Sequence, residues 1–351
     1  MEQNKVLIAM SGGVDSSVAA YLTIQSGVSC VGATMRLYES DATPSQVEDA
    51  HSVAQRLGIP FYALDFQNEF RCLVMDSFVR SYENGLTPNP CVECNRCIKF
   101  GHLLQQAQDL GCSHIATGHY ARVIQDPTSG RYLLQKALDE SKDQSYFLYS
   151  LTQEQLSRIL FPLGHLHKLE VREIAQAQGF VTAKKKDSQD ICFVPDGDYR
   201  LFMERHTGKA YAPGDFLDQN GNVVGRHNGA VGYTLGQRKG LGIAMGEPVY
   251  VCGKDMEKNT VTVGPNEALM HRSVRADHWY WHVFQELNEP LRVTAKARSR
   301  MTEQPATVYP EENGFSRVEF DEPQRAMTPG QAVVLYDGDT VVGGGTIVEA
   351  F

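Results

Sequence analysis

The stretch that decides the fold is Val6-Leu-Ile-Ala-Met10, followed at once by Ser11-Gly-Gly-Val-Asp-Ser-Ser17. The apolar run predicts a buried strand, the two glycines predict a tight turn, and the closing serines predict the start of a helix. Gly12 and Gly13 permit backbone conformations that other residues avoid, and they leave room for phosphate oxygens beside the chain. The free N–H groups of the first helical turn and the serine hydroxyls then face an anion. This order of elements predicts a nucleotide-phosphate site.

Residues 5–120 continue the alternation of strand-like and helix-like segments. Short apolar runs lie at 28–35, 61–66 and 114–117. Such alternation predicts a parallel sheet with helices on both faces. Ligands of these sheets bind beyond the carboxyl ends of the strands, so the loops after Met10, Met35 and Thr117 are expected to converge. A hairpin that turns at 126–130 is expected to follow.

The pattern changes near residue 205. Glycine and turn residues become dense, long helical patterns disappear, and the C-terminal segments alternate as strands do, with Asp337-Gly338 as a hairpin signal. We therefore expect a parallel α/β domain over 1–204, a small β-rich domain over 205–272 and a C-terminal β-barrel over 273–351.

Composition narrows the functional class. The 351 residues include 42 acidic and 33 basic side chains, a formal net charge of −9. That balance argues against a general nucleic-acid binder, so any RNA contact has to use local basic patches. No apolar run approaches the roughly 18 to 20 residues of a membrane span, and the first strand leaves no room for a signal peptide. We expect a cytoplasmic protein with no membrane partner, whose eight cysteines stay reduced.

Four of the cysteines carry a chemical signal. Cys91, Cys94 and Cys97 form a Cys-x-x-Cys-x-x-Cys run on a loop expected to feed a helix, and Cys192 follows the basic run 184–186. A helix N-terminus and nearby lysines favour a thiolate, and the lysines are also suited to phosphate or to an RNA backbone. Two chemistries fit these thiols: sulfur transfer between two cysteines, or a site for zinc or an iron–sulfur cluster. The spacing does not separate the two. Cys30, Cys72 and Cys112 are predicted as core residues.

Taken together, the phosphate loop and the cysteine segments give a specific resemblance. The loop resembles the pyrophosphate loop of enzymes that cleave ATP between the α- and β-phosphates. With the other motifs it makes the chain similar to bacterial and organellar tRNA-specific 2-thiouridylases, over essentially its whole length. The matching segments are Ala9–Ser16, Thr87–Pro90, Cys94-Asn95, Ile98–Phe100, Ala116–Tyr120, Lys142–Phe147, Ser188–Phe193 and Tyr233–Gly242. The resemblance implies an adenine nucleotide alpha-hydrolase-like fold for the first domain.

The resemblance also implies a reaction. The family transfers AMP from ATP to the C2 oxygen of the wobble uridine in lysine, glutamate and glutamine tRNAs, because oxide itself is a very poor leaving group. Cys192 is implied as the persulfide carrier and Cys94 as the second catalytic cysteine, with a transient disulfide between them. ATP and Mg²⁺ are implied, with Asp15 near the metal or ordering the loop. The sulfur comes from an upstream donor, either a cysteine desulfurase or a sulfur relay protein.

Binding residues follow from the same motifs, position by position. Those implied for ATP are Ala9, Met10, Ser11, Gly12, Gly13, Val14, Asp15, Ser16, Met35 and Gly118. Those implied for the flipped-out target base are Asn89, Pro90 and Cys91. Those implied for tRNA are His119, Lys142, Asp143, Gln144, Arg298, Ser299 and Gln331.

One position departs from the family pattern. Many members carry aspartate, a proposed acid or base, where this chain has Cys91. A third thiol raises the alternative that Cys91, Cys94 and Cys192 hold a four-iron four-sulfur cluster whose fourth iron binds the incoming sulfide. The persulfide and cluster routes both stay open, and Cys97 is interpreted as a bystander.

Two other functions compete with thiolation. The first is an ATP pyrophosphatase that adenylates a small carbonyl compound and delivers ammonia or an amine, as GMP, NAD and argininosuccinate synthetases do. That class gives no reason for the segments around Cys94 and Cys192. The second is a metal-stabilised RNA-binding module, which would leave the phosphate loop unused. The aromatic pair Trp279 and Trp281 is predicted to pack beneath the barrel rather than to stack on bases.

Overall fold

The first part of the chain is built on a parallel sheet. The computed structural model describes residues 5–39, 43–183, 185 and 191–351. The strands are β1 (Lys5–Ala9), β2 (Ser29–Arg36), β3 (Phe61–Asp65), β4 (His114–Ala116) and β7 (Ile159–Leu160), in the order β3-β2-β1-β4-β7. Helices α1 (Val14–Gln25), α2 (Thr43–Leu57) and α8 (Lys168–Ala177) belong to the same domain. The predicted parallel α/β sheet is confirmed.

The central strand β1 shows why this sheet forms. Its side chains alternate between two cores, because successive residues of a strand point to opposite faces. Val6, Ile8 and Met10 pack in one cluster with the apolar faces of α1 and α8. Leu7 and Ala9 pack in the other cluster. A strand buried on both faces reads as the continuous apolar run seen in the sequence.

Two helical segments cover the second core, and both contain π-helical turns. The first comprises α3 (Gln67–Phe70), a π-helical stretch (Arg71–Met75) and α4 (Asp76–Glu83). The second comprises α5 (Pro90–Glu93), a π-helical stretch (Cys94–His102) and α6 (Leu103–Asp109). The expectation that the cysteines precede this second helix is wrong, because the helix already begins at Pro90, whose fixed φ suits a first helical position. Such π-helical insertions are frequent at functional sites.

The middle of the chain forms a separate four-stranded sheet. Helix α9 (Tyr199–Thr207) leads into β8 (Gly214–Leu217), β9 (Val223–His227), β10 (Tyr250–Asp255) and β11 (Thr260–Gly264). The strand order is β10-β11-β8-β9. Phe216, Val251 and Val261 are completely buried in its core.

The C-terminal strands close into a barrel, as predicted. They are β12 (Met270–Trp281), β13 (Leu291–Lys296), β14 (Gln304–Pro310), β15 (Ser316–Arg325), β16 (Ala332–Asp337) and β17 (Thr340–Ala350). Their order is β12-β15-β14-β13-β16-β17, and pairing of β12 with β17 closes the ring. Gly338, with φ of +55°, makes the predicted turn between the last two strands. Trp279 and Trp281 stack with ring centroids 4.6 Å apart against the barrel core, which matches the packing interpretation.

One hairpin ties the first domain to the barrel. Strands β5 (Arg122–Gln125) and β6 (Tyr132–Gln135) flank the predicted turn, and Gln135 pairs with Thr340 of β17. Arg122 adds an ion pair of 2.7 Å to Asp339 beside that junction. The parallel sheet and the barrel are therefore held against each other by backbone pairing.

The structure also assigns the remaining cysteines and helices. Cys30 and Cys112 are buried, as predicted, but the same prediction for Cys72 is wrong. Cys72 lies in the π-helical stretch after α3, where Val74 faces the core instead and the thiol is exposed. Among the described helices, none is long and apolar enough to cross a membrane.

Candidate active site

The phosphate loop lies between β1 and α1. Gly13 precedes the helix in an extended conformation (φ −105°, ψ 167°), and its carbonyl accepts from the amide and hydroxyl of Ser17 at 3.2 and 2.9 Å. The Ser16 hydroxyl accepts from the amide of Ser11 at 3.1 Å. These bonds close the turn on itself and leave the first-turn amides of α1 available to an anion.

Two glycines are required for close backbone approach. Gly12 has φ of +70°, and a Cβ there would lie 2.4 Å from the carbonyl oxygen of Gln46. Gly118, at the end of β4, packs so tightly on the start of α1 that a Cβ would lie 2.7 Å from backbone atoms of Asp15 and Ser16. The loop after β4 is thus pressed against the phosphate loop.

A cavity of about 360 Å³ opens where the expected loops converge. Its wall contains eight residues implied for ATP: Ala9, Ser11, Gly13, Val14, Asp15, Ser16, Met35 and Gly118. It also contains Lys99, Thr117, His119, Tyr120, Lys142 and Gln144. Met10, by contrast, is buried in the core beneath the loop. A volume of this size is within the range of small-molecule sites.

Asp15 is held by two partners that the sequence did not single out. Lys168 donates to both carboxylate oxygens, at 2.7 and 2.8 Å, and the hydroxyl of Tyr120 donates at 2.9 Å. Lys168 is the first residue of α8, and no local motif marks it as part of a phosphate site. Asp15 thereby presents a neutralised carboxylate to the cavity.

His119 lies on the cavity wall as a neutral imidazole. Burial, and then the charge of Lys99, hold its pKa well below the usual value. Its Nδ1 is 2.7 Å from the Thr117 hydroxyl, and its Nε2 is 3.5 Å from the Lys99 ammonium. If the lysine donates to Nε2, the proton resides on Nδ1 and is donated to Thr117.

The segment that follows the hairpin supports the same wall. The side chain of Gln144 accepts from the amide of Tyr120 at 2.9 Å, so it fixes the loop after β4. Asp143 accepts from the amide of Ala137 and from the hydroxyl of Ser145, at 3.0 and 2.7 Å. Lys142 and Gln144 therefore line the cavity, whereas the carboxylate of Asp143 is engaged within its own loop.

Three thiols gather beside this cavity. Cys94 is buried, and its pKa is raised to about 12 by burial, with the charge of Lys99 opposing and those of Cys192, Cys91 and Cys97 adding. Cys91 and Cys192 have exposed surface, but burial also raises the pKa of each thiol, and the charge of Cys91 adds to the rise at Cys192. The structure thus brings Cys94 and Cys192 into electrostatic range of each other.

Lys99 is the side chain shared by the two halves of the site. It lines the nucleotide cavity, and its charge lowers the pKa of Cys91, Cys94 and Cys192 against the effect of burial. The sequence offered one signal for it, the Ile98-Lys99-Phe100 segment, but did not assign it a role.

Cys192 is held in place by aromatic residues on either side of it. The hydroxyl of Tyr38 donates to the carbonyl of Cys192 at 2.5 Å. The next residue, Phe193, is buried against Phe70 and Phe78, with ring centroids at 5.7 and 5.3 Å. Tyr38 follows β2, so the strand that contributes Met35 to the cavity also positions the distant cysteine.

The barrel supports the segment implied for the target base. Gln331 donates from Nε2 to the carbonyls of Thr87 and Pro88, at 2.9 and 3.2 Å. The amide of Thr87 donates to Pro329 at 2.9 Å. Asn89 and Pro90 come next and open α5, which carries Cys91 and continues into the π-helical stretch that begins at Cys94. Gln331 therefore positions this segment through its backbone.

Arg298 and Ser299 lie in the turn after β13 and are not among the residues that line the cavity. The pKa of Arg298 is lowered by burial and then by the charge of Arg325, while Tyr146 acts in the opposite direction. Tyr146 follows the Lys142–Gln144 segment and donates to the carbonyl of Ala332 at 2.9 Å. Tyr146 therefore links the Lys142–Gln144 segment to the barrel strand that contains Ala332.

Of the basic run before Cys192, Lys185 is described, whereas Lys184 and Lys186 lie outside the described residues. The Lys185 ammonium donates to the carbonyl of Gly12 at 3.0 Å and pairs with Asp49. Nearby, the hydroxyls of Thr182 and Ser17 are 3.0 Å apart. In this structure the Lys185 side chain therefore contacts the backbone of the phosphate loop.

The possible metal ligands of the site are its thiols and the carboxylate of Asp15. Within the described residues, no group of three or more His, Cys, Asp or Glu side chains is arranged to hold a metal ion. Cys91, Cys94 and Cys192, as placed, do not form such a group. Asp15 does fit Mg²⁺, because that ion is usually held by one or two carboxylates together with phosphates of the substrate.

Family profiles match all three parts of the chain. A family profile described as the tRNA methyl transferase HUP domain matches residues 4–196. Profiles described as the tRNA methyl transferase PRC-barrel domain and the aminomethyltransferase beta-barrel domain match 200–265 and 271–347. One solved structure, the U34-tRNA thiolase NcsA of Methanococcus maripaludis with its 4Fe-4S cluster, is 18% identical with a TM-score of 0.37. That similarity covers 58% of this chain and 66% of that one.

Two relatives are much more similar in sequence. The tRNA-specific 2-thiouridylase MnmA of Heliobacterium modesticaldum is 50% identical over 355 residues, which cover 98% of this chain and 92% of that protein. The tRNA-specific 2-thiouridylase MnmA of Acetivibrio thermocellus is 48% identical over 358 residues, which cover 99% and 100%. By identity at this level over nearly the whole of both chains, the protein belongs to the tRNA-specific 2-thiouridylase family, as its motifs predicted.

Proposed function

We propose that this protein is an ATP-dependent tRNA-uridine 2-sulfurtransferase that converts the wobble uridine of lysine, glutamate and glutamine tRNAs to 2-thiouridine. One observation carries the proposal. A cavity bounded by a phosphate loop shares Lys99 with a group of thiols that includes Cys94 and Cys192. Adenylation and sulfur transfer therefore have adjoining sites.

The first step activates the base. The phosphate loop and the amides of α1 hold the triphosphate, and Asp15 holds the Mg²⁺ that accompanies it. The C2 oxygen of uridine attacks the α-phosphorus, an O–P bond forms, and the bond to pyrophosphate breaks. The C2 oxygen is then part of an AMP ester. Its departure as AMP no longer requires the release of oxide.

The second step delivers sulfur. The persulfide on Cys192 carries an outer sulfur supplied by an upstream persulfide-bearing protein. Cys94 attacks the inner sulfur of Cys192, the Cys94–Cys192 disulfide forms, and the outer sulfur leaves as hydrosulfide with the proton of Cys94. Hydrosulfide adds to C2 and AMP leaves. An external dithiol then reduces the disulfide by two electrons.

Burial of Cys94 suits this order of events. Because burial raises its pKa to about 12, the thiol is protonated at neutral pH and has a proton to give to the leaving sulfur. The neighbouring charge of Lys99 favours the thiolate as the proton moves to the leaving sulfur. The persulfide route therefore uses the placement of both cysteines.

The cluster route is the second candidate for the sulfur step, motivated by Cys91 in place of the family's aspartate. It is separated by anaerobic purification with assays of iron, acid-labile sulfide and thiolation. Full activity in metal-free protein supports the persulfide route, whereas activity proportional to bound iron supports the cluster.

The other residues receive roles within the same proposal. Asn89, Pro90 and Cys91 surround the flipped-out base, and tRNA contacts come from His119, Lys142, Asp143, Gln144, Arg298, Ser299 and Gln331. The working unit is a catalytic domain over 1–204, a tRNA-contacting domain over 205–272 and a barrel over 273–351. The donor is a cysteine desulfurase or a sulfur relay protein, and the reaction takes place in the cytoplasm.

The direct test is anaerobic reconstitution with ATP, Mg²⁺, a cysteine desulfurase and cysteine as the persulfide source, a dithiol reductant and unmodified tRNA, followed by nucleoside analysis. Formation of 2-thiouridine with equal amounts of AMP and pyrophosphate is expected. Pyrophosphate release with small carbonyl compounds but not with tRNA would instead support an amide-forming ATP pyrophosphatase. That alternative leaves the thiols gathered at the cavity without a use.

A further inference from the structure

We infer that Lys168 binds the β- and γ-phosphate oxygens of ATP, and that it reaches them by exchanging its contact with Asp15. The inference deepens the proposed function, on which it rests, by naming the residue that receives the leaving pyrophosphate. Neither the phosphate-loop motif nor the cysteine motifs include this residue. Its place in the fold supplies the argument.

The backbone of Lys168 is fixed at the first position of α8. Its amide donates to the carboxylate of Asp139 at 2.9 Å. The preceding residue, His167, caps the helix, and its own amide donates to Glu170 at 2.7 Å. Since α8 packs beside α1 in the same core cluster, the lysine side chain emerges at the start of α1. A residue held this way presents its ammonium at a defined point.

The ammonium of Lys168 contacts two residues of the cavity wall, Asp15 and Tyr120. Only 12% of the Lys168 side chain is exposed, its Nζ passes 5.6 Å from the ring of Tyr120, and both oxygens of Asp15 are within 2.8 Å. Asp15 itself lines the cavity in the first turn of α1. Only the Asp15 side chain therefore separates the Lys168 ammonium from the part of the cavity where the phosphates are expected to bind.

The direction of the triphosphate follows from the two lysines. The α-phosphate has to lie near the thiols, because the adenylated base receives sulfur there, and Lys99 is the lysine whose charge acts on those thiols. The rest of the triphosphate then extends toward the first turn of α1, where Lys168 lies. The two ammonium groups thus serve opposite ends of the substrate.

Charge explains the exchange. A free carboxylate at Asp15 would repel the triphosphate, and the ion pair with Lys168 removes that repulsion. Asp15 would hold Mg²⁺ together with phosphate oxygens, because carboxylate and phosphate oxygens are the preferred ligands of that ion. The ammonium is then released from Asp15 and donates to phosphate oxygens, for which lysine is a common partner.

The test compares ATP with AMP, because AMP lacks the β- and γ-phosphates. We expect Lys168→Met to weaken ATP binding roughly 10- to 100-fold, as measured by calorimetry with Mg²⁺, and to leave AMP binding within about 2-fold. Lys168→Arg should recover part of the ATP affinity. The control is Lys258→Met, because Lys258 is 79% exposed and pairs with Asp255, and neither residue lines the cavity. Unchanged ATP affinity in Lys168→Met, or an equal loss for ATP and AMP, overturns the inference.

A double variant shows whether Lys168 binds phosphate or only neutralises the charge of Asp15. If Lys168 only cancels the charge of Asp15, then Asp15→Asn combined with Lys168→Met restores ATP binding to the level of Asp15→Asn alone, which would overturn the inference. If Lys168 binds phosphate, the double variant stays weaker than Asp15→Asn.

These measurements need no tRNA, so they are independent of thiolation. Selective loss of ATP binding in Lys168→Met, in a protein that forms no 2-thiouridine, supports Lys168 and removes the proposed function. Normal thiolation by the unmodified protein, with normal ATP binding in Lys168→Met, removes only Lys168.

Discussion

The two halves of the site are built in different ways. The turn of the phosphate half is local, since β1, the glycine turn and α1 occupy residues 5–25 and the hydrogen bonds that close the turn join residues within five positions of each other. The partners of Asp15, Tyr120 and Lys168, come from far along the chain. The sulfur half is assembled from distant segments. The π-helical stretch after α5 supplies Cys94, a segment held by Tyr38 supplies Cys192, and the barrel supports the base segment through Gln331. Binding a phosphate needs one turn of backbone, whereas passing sulfur between two thiols needs tertiary structure.

The largest expected effect is a complete loss of thiolation, the function of the sulfur half, with ATP binding by the phosphate half intact. Replacing Cys94 or Cys192 by alanine should abolish 2-thiouridine formation, because each sulfur forms or breaks a bond, while ATP binding stays normal. Nucleoside digestion with mass spectrometry measures the product, and calorimetry measures ATP. Cys252→Ala, in the middle domain, is the control. Substantial product from Cys94→Ala or Cys192→Ala would contradict the sulfur-transfer assignment.

A substitution in the phosphate half is expected to weaken ATP binding and leave the thiols unchanged. Gly118→Ala places a Cβ 2.7 Å from the backbone at the start of α1, so the loop after β4 has to move away. We expect ATP affinity to fall roughly 10- to 100-fold, the range reported for lost contacts to charged groups, while the thiols keep their reactivity toward alkylating reagents. Gly253→Ala is the matched control, since its Cβ would find its nearest atom at 3.5 Å. Normal ATP binding by Gly118→Ala would show that this close approach is not needed.

A milder change tests how the distant cysteine is positioned. Tyr38→Phe removes the hydroxyl that donates to the carbonyl of Cys192 and leaves the ring on Phe70. The same hydroxyl also contacts the Cys192 side chain, and a loss of about 1 kcal/mol in the hydrogen bonding of Cys192 predicts roughly a 5-fold slower sulfur step. Single-turnover thiolation should slow while ATP affinity stays unchanged. Tyr62→Phe, on an exposed side chain, provides the comparison. If ATP affinity fell as much as the thiolation rate, the effect of Tyr38→Phe would lie in the phosphate half and contradict this prediction.

The barrel contact is expected to act on stability as well as rate. Gln331→Ala removes two donations to the backbone before α5, which predicts a loss of about 1 to 2 kcal/mol in the free energy of unfolding. Urea denaturation measures this loss. Gln324→Ala is the control, because its amide donates only to Glu322 two residues away. Equal stability of the two variants would mean that Gln331 does not support the base segment.

The smallest effect is a pH dependence from Cys94. Its pKa is raised from 9.0 to about 12 in the folded protein, so the folded state retains this proton at pH values where the unfolded chain has lost it. The resulting stability is fully present below pH 9 and is lost as the pH rises toward 12. Cys94→Ala should therefore lose less stability over this window than the unmodified protein. The exposed Cys72→Ala should follow the unmodified protein, and an identical decline for both variants would contradict the buried, protonated thiol.

Several parts of this arrangement could be read from residue patterns. The alternation of β1 with α1 and the glycine turn predicted a parallel sheet and a phosphate loop, and both elements formed where the apolar run ends. The start of the cysteine helix was placed too late, because a proline was read as part of a loop when it occupies a first helical position. Cys72 was placed in the core, because a π-helical stretch shifts which positions face inward.

The sequence by itself determined the order of the elements, the phosphate loop and the cysteines that matter, because these depend on local backbone preference and on the chemistry of single side chains. Only the tertiary structure decided which residues support them. No sequence motif predicts the contacts of Lys168 and Tyr38. The role of Lys99 can be inferred only when the helix that carries it and the end of β4 are seen to line the same cavity. The physical reason is range: hydrogen bonds and ion pairs act over a few ångströms in space, whatever the separation along the chain.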